Sequence, residues 1–134
     1  MGSTETTIEQ KYYTPNPEDL FIGYECEIIE ISEQWIRRTI AHSSEIGSCV
    51  MKIDRKHIRV PYLTKEQIEN KGWIFYEHTQ YGNQDRFKLK GNEIEHYISL
   101  NIIRIFNNRD EVVFNGVCNS INEFIKIIKW TNIL

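Results

Sequence analysis

The sequence predicts an α+β domain. Its parts are a small curled antiparallel β sheet or SH3-like barrel (about residues 22–62), a short helix (64–71), an antiparallel β meander (73–117) and a C-terminal amphipathic helix (120–130). Three observations carry this class. Apolar and polar residues alternate in short runs, the period of strands buried on one face. Two capping boxes, at Thr64 and Ser120, mark helix starts. Glycine, proline and asparagine fall between the runs, where turns need them.

The elements follow in order. Residues 1–19 show no apolar period and contain Pro15 and Pro17, the marks of a flexible N-terminal arm anchored by Tyr12, Tyr13, Leu20 and Phe21. In Tyr24-Glu25-Cys26-Glu27-Ile28 the apolar residues share one face and the two acids the other. A second strand spans residues 35–41. A third is expected at Cys49-Val50-Met51-Lys52-Ile53, with Cys49, Met51 and Ile53 inward, and a fourth over 57–62, with Ile58, Val60 and Tyr62 inward. Four strands this short are marginal alone and are expected to share a core with the second half of the chain.

Leu63-Thr64-Lys65-Glu66-Gln67-Ile68 is a capping box with a hydrophobic staple, Leu63 against Ile68, and Gly72 supplies the helix stop. In the meander, residues 73–78 form one strand. Arg86-Phe87-Lys88-Leu89-Lys90 turns Phe87 and Leu89 in and its three bases out, and Gly91-Asn92 is a turn dipeptide. Ile94, His96, Ile98 and Leu100 share the next face, residues 102–106 follow, residues 107–110 form a hairpin loop, and residues 112–117 return. Ser120-Ile121-Asn122-Glu123 opens the last helix, whose Ile121, Phe124, Ile125 and Ile128 form one apolar face, with Trp130 sealing its end. The expected organisation is the arm at 1–19 and one domain over 20–134.

At 134 residues, 40% hydrophobic and 26% charged, the chain has the composition of a globular protein long enough to build a core. No apolar run approaches the roughly 18 residues of a membrane span, and the polar start lacks the apolar stretch of a signal peptide. Cys26, Cys49 and Cys118 are odd in number and form no CxxC pair, which points to reduced thiols in a cytosol. The net charge of −3 is unevenly spread: residues 1–30 hold seven acids and one base, residues 31–63 three acids and six bases, and the remainder balances.

No motif announces catalysis. His42-Ser43-Ser44-Glu45 has the residue types of a hydrolase, but loop neighbours do not converge as a triad, and no nucleophile elbow surrounds either serine. Cys49 reads as a buried thiol. The pairs Glu25/Glu27 and Glu93/Glu95 each lie roughly 6–7 Å apart on one strand face, the geometry of a solvated face as well as of a metal or acid–base pair. His42, His57, His78 and His96 lack ligand spacing, and His96 reads as a core histidine with its hydrogen bonds satisfied. No cofactor is implied. The candidate binding residues are the central bases Arg37, Arg38, Lys52, Arg55, Lys56, His57 and Arg59. Several of them could share an outer face and contact phosphates or an acidic protein surface. Tyr81 and Arg86, beside a glycine loop, could stack a base or pack locally.

Tyr12-Tyr13-Thr14-Pro15, then Glu18-Asp19-Leu20-Phe21-Ile22-Gly23-Tyr24-Glu25, resemble the opening of uncharacterised small proteins encoded by crAss-like tailed phages of gut Bacteroidales. The stretch Ile58-Arg59-Val60-Pro61-Tyr62-Leu63-Thr64-Lys65-Glu66-Gln67-Ile68-Glu69-Asn70-Lys71-Gly72-Trp73 is similar to their commonest signature, as is Phe114-Asn115-Gly116 leading to a Ser120-capped helix. Pro61 and the polar first ten residues depart from the group. The resemblance implies a phage origin and residence in the cytoplasm of the infected bacterial host, and it carries over no catalytic residue. Together these features lead to the expectation of a non-enzymatic phage accessory protein that binds a host protein or a small nucleotide signal in counter-defence. The alternatives are a nucleic-acid-binding module using the basic face, and a structural or virion-associated protein. No membrane partner is expected, and the sequence leaves the oligomeric state open.

Overall fold

The computed structural model describes residues 11–31 and 33–134. By its contacts the chain divides into two compact units, Met1–Tyr62 and Leu63–Leu134, each with its own cluster of buried apolar side chains.

The first unit holds an open four-stranded antiparallel sheet, not a closed barrel. Its strands are β1 (Tyr12–Tyr13), β2 (Glu25–Ile29), β3 (Trp35–Thr39) and β4 (Ile58–Pro61), in the order β1-β4-β2-β3. The first ten residues of the expected arm lie outside the described residues. From Lys11 the chain is tied down: Tyr12 and Tyr13 pair with Pro61 and Val60, the Tyr62 amide donates to the Lys11 carbonyl at 2.9 Å, and Pro15 is buried. A single 3-10 turn, Pro17–Asp19, follows, its start held by the Asp19 carboxylate accepting from the Asn16 amide.

The strand expected at residues 49–53 is instead the second half of helix α1 (Ser43–Asp54). The alternation Cys49, Met51, Ile53 coincides with a helical stripe, Ile46, Cys49, Val50 and Ile53, and only the latter faces the core; Met51 is 63% exposed. The helix starts where the Glu45 carboxylate accepts from the Ala41 and His42 amides, at 3.2 and 3.1 Å, so His42-Ser43-Ser44-Glu45 is a helix cap. α1 covers the sheet face made by Cys26, Ile28, Ile58 and Val60.

The second unit opens with helix α2 (Lys65–Asn70), built as its sequence reads. The Gln67 amide donates to Thr64 Oγ1 at 3.2 Å, and the Thr64 amide donates to Gln67 Oε1 at 3.0 Å. Leu63 and Ile68 are both buried in the unit's core, and Gly72 leaves the helix at a φ of +97°, a conformation in which a Cβ is strained. Next comes a five-stranded meander in sequential order: β5 (Ile74–Thr79), β6 (Gln84–Leu89), β7 (Asn92–Tyr97), β8 (Ile102–Phe106) and β9 (Val112–Val117).

The meander departs from expectation at two places. The β6–β7 turn is Lys90-Gly91, both at positive φ, while Asn92 begins β7 buried, its amide donating to the carbonyls of Leu89 and Ile133. β7 ends at Tyr97. Ile98 and Leu100 leave the expected face for a 3-10 turn closed by Asn101 in the left-handed region, and both are exposed.

Helix α3 (Ile121–Thr131) starts at Ser120, whose Oγ accepts from the Glu123 amide, while Glu123 accepts from the Asn119 amide. Ile121 and Phe124 join Phe87, Ile94, Ile103 and Ile105 in the core. Each such fully buried side chain is worth roughly 1.5–3 kcal/mol. Trp130 does not seal the helix end: it is 74% exposed and leans edge-on toward Phe114.

Candidate functional site

The seven central bases do not gather on one face. Arg37 and Arg59 lie on the side of the first sheet away from α1, flanking Glu27 in register from β3 and β4. Arg59 is committed: its Nε and one Nη lie 2.7 Å from Glu27 Oε1, and its guanidinium carbon sits 3.7 Å from the Tyr12 ring centre and 4.1 Å from that of Trp35. Strand order puts Tyr12 and Trp35 to either side of it, the stacking a flat, weakly hydrated guanidinium favours. Arg38 pairs with Cys26 across the strands on the helix side and bonds Glu30 at 2.9 Å, with Glu45 at 3.8 Å. Lys52 lies in the last turn of α1, with its ammonium 3.4 Å from Ser48 Oγ. Arg55, Lys56 and His57 form the link to β4.

The second unit carries a denser polar surface, on the side of the meander away from its core. Cross-strand register lines up Glu77, Arg86, Glu95, Arg104 and Asn115 across all five strands. Glu95, only 7% exposed, sits at the middle. Tyr97 donates to it at 3.0 Å, and Arg86 and Arg104 reach it at 3.6 and 3.5 Å from the strands on either side. One row away the Tyr76 hydroxyl donates to Glu93 at 2.5 Å, with the Lys88 ammonium 4.4 Å from the Tyr76 ring centre. Burial, then the bond to Glu93, pushes the Tyr76 hydroxyl up to about 12, and burial followed by Glu95 raises that of Tyr97. Both phenols are therefore fixed as donors.

Aliphatic and aromatic residues interleave with these charges. Ile74 and Tyr76 are exposed, while Tyr97, Ile102 and Phe106 are half-buried on the same side. A sheet face left to water is ordinarily polar. Two buried polar atoms here, Arg86 Nε and Gln84 Oε1, make no hydrogen bond, and such groups cost roughly 1–3 kcal/mol each.

On the core side of the same sheet, His78, Asp85 and His96 stand in one row. His78 Nδ1 lies 2.6 Å from Asp85 Oδ1. His96 is buried as expected, but its Nδ1 is unpartnered rather than satisfied, and burial holds it down to about 4 against the opposing pull of Asp85. No group of three or more His, Cys, Asp or Glu is placed to hold a metal ion among the described residues. Cys26, Cys49 and Cys118 are free and buried; burial pushes Cys26 up to about 12 and raises the other two.

The Arg86–Glu95–Arg104 row escaped sequence reasoning because of the misplaced turn. A turn at Gly91-Asn92 sets Arg86 opposite Tyr97, whereas Lys90-Gly91 sets it opposite Glu95. The lysine at positive φ hid the signal.

No family model matches the chain, and neither the curated proteins nor the solved structures contain a match. No helix among the described residues is long and apolar enough to cross a membrane.

Proposed function

We propose that this chain works by binding a protein, through the outer side of its five-stranded sheet. The observation that carries the reading is the composition of that surface: tyrosines, arginines and aliphatic side chains around a carboxylate shielded from water, on a sheet side that solvent alone would leave polar. Tyrosine and arginine are enriched at the centres of protein interfaces because each offers a large, stiff contact with a polar tip. Glu95 prepares the surface by holding Arg86 and Arg104 in place, so little ordering cost remains at association.

The resemblance to crAss-like phage proteins supports a host protein as the partner and counter-defence as the purpose. A nucleic-acid backbone finds less to hold. Arg38 and Arg59 are already neutralised by acids, and the central bases are spread over both sides of their sheet. The test is affinity capture from host extract with the intact chain and with a Tyr76→Ala/Arg104→Glu double variant shown to be folded by circular dichroism. The expected result is a protein enriched by the first and lost, by tenfold or more, with the second. Equal enrichment by both would contradict the proposal, as would salt-sensitive retention of DNA or RNA alone.

A further inference from the structure

A five-stranded open sheet has two edges, and here they are built differently. β5 carries Glu77, His78 and a register shift between Phe75 and Glu77, devices that keep an edge strand from pairing with another chain. β9 carries no charge, and none follows it until Glu123. Among the described residues, it is guarded near its start by a register shift at Val113, just after Glu111. Val112 and Val117, at either end of the strand, are 53% and 58% exposed. Beside this edge runs an open groove of about 390 Å³, lined by Phe114, Lys126, Ile127 and the largely exposed Trp130.

The free side of an edge strand offers a row of backbone donors and acceptors that only another extended strand can satisfy along its length. We propose that β9 pairs antiparallel with β9 of a second copy of this chain, joining two meanders into one continuous sheet with the Phe114–Trp130 grooves at the seam. Three features favour pairing of β9 with itself in a second copy. An uncharged strand is its own complement, since no like charges meet when it lies against itself. Antiparallel self-pairing is two-fold symmetric, so it uses up both exposed edges and closes, whereas β9 against β5 of the next copy would run on as a filament. The same rotation brings both grooves to one seam, where each largely exposed Trp130 gains apolar cover beyond its edge contact with Phe114. A six-residue strand pair with two small grooves lies near the lower end of specific interfaces, roughly 1,200 Å² in total, so the expected dissociation constant is on the order of micromolar.

The test is sedimentation velocity of the full chain from roughly 1 to 300 µM, read with tryptophan emission over the same range. The expected result is a concentration-dependent rise to twice the monomer mass, with a blue shift as Trp130 leaves water. Val117→Lys, a charge on the exposed edge, should raise the dissociation constant tenfold or more with the circular dichroism spectrum unchanged. Trp130→Ser, at a residue mostly in solvent, should do the same and serves as an independent check where the first variant is unstable. A monomer throughout the range, or a dimer of unchanged affinity in either folded variant, would overturn the proposal.

Discussion

Removing the carboxylate of Glu95 is the sharpest perturbation the fold offers. In Glu95→Ala, Arg86 and Arg104 lose the acid between them, and Tyr97 loses its acceptor. A hydrogen bond to a charged group is worth about 1.5–3 kcal/mol. The two ion pairs add less, because each arginine is about a third exposed and reaches Glu95 only at 3.5–3.6 Å; roughly 0.5 kcal/mol apiece is appropriate. The expected loss is therefore about 2.5–4 kcal/mol, overlapping the lower part of the roughly 3–5 kcal/mol cost of breaking a fully buried pair. Glu95→Gln keeps an acceptor for Tyr97 and should lose about 1 kcal/mol. Urea denaturation followed by Trp73, which is buried in the same unit, measures both. A Glu95→Ala loss under about 0.5 kcal/mol, or the same loss in an Arg104→Ala background, would show that the row is decoration rather than a coupled centre.

Three further outcomes are expected. Arg59→Ala should cost about 2 kcal/mol, from two ring contacts of roughly 0.5–1 kcal/mol each and one partly exposed ion pair, while Arg59→Lys recovers less than half because an ammonium cannot lie flat between Tyr12 and Trp35; urea midpoints decide it. His96 is held neutral, down to about 4 when folded, so the unfolded chain binds its proton first. Stability should be fully present above pH ~6.5 and fall by up to ~1.4 kcal/mol per unit as pH drops toward 4, and a His96→Leu variant should flatten that slope. Cys26, Cys49 and Cys118 should react with a thiol reagent at least ~100-fold faster in denaturant than in the native state at pH 8, since burial raises all three; fast native labelling of any one would show an opening absent from the packed structure.

Local chemistry was legible in the sequence wherever a few neighbouring residues decide the outcome. The Thr64 and Ser120 caps, the Leu63–Ile68 staple and the inward Phe87 each need only a short window. Residues 49–53 failed because a five-residue apolar alternation fits both a strand and one stripe of a helix, and the deciding signal, Glu45 capping at Ala41 and His42, lay upstream in a motif weighed for catalysis. The candidate surface failed for a different reason. Whether Arg86 meets Glu95 or Tyr97 depends on which two residues turn the hairpin, and a two-residue slip keeps every side chain on its face while changing its partner. The tertiary clamp around Arg59 joins residues from β1, β3 and β4, a meeting no local pattern announces.

The central claim is that the outer side of the meander touches the partner. It is tested most directly by placing a photo-activated cross-linking residue at Tyr76 in one variant and at the exposed Met51 of α1 in another, then illuminating each in host extract. A discrete protein adduct from position 76 and none from position 51 is the predicted result. An adduct of the same mass from position 51, with nothing at 76, would contradict it.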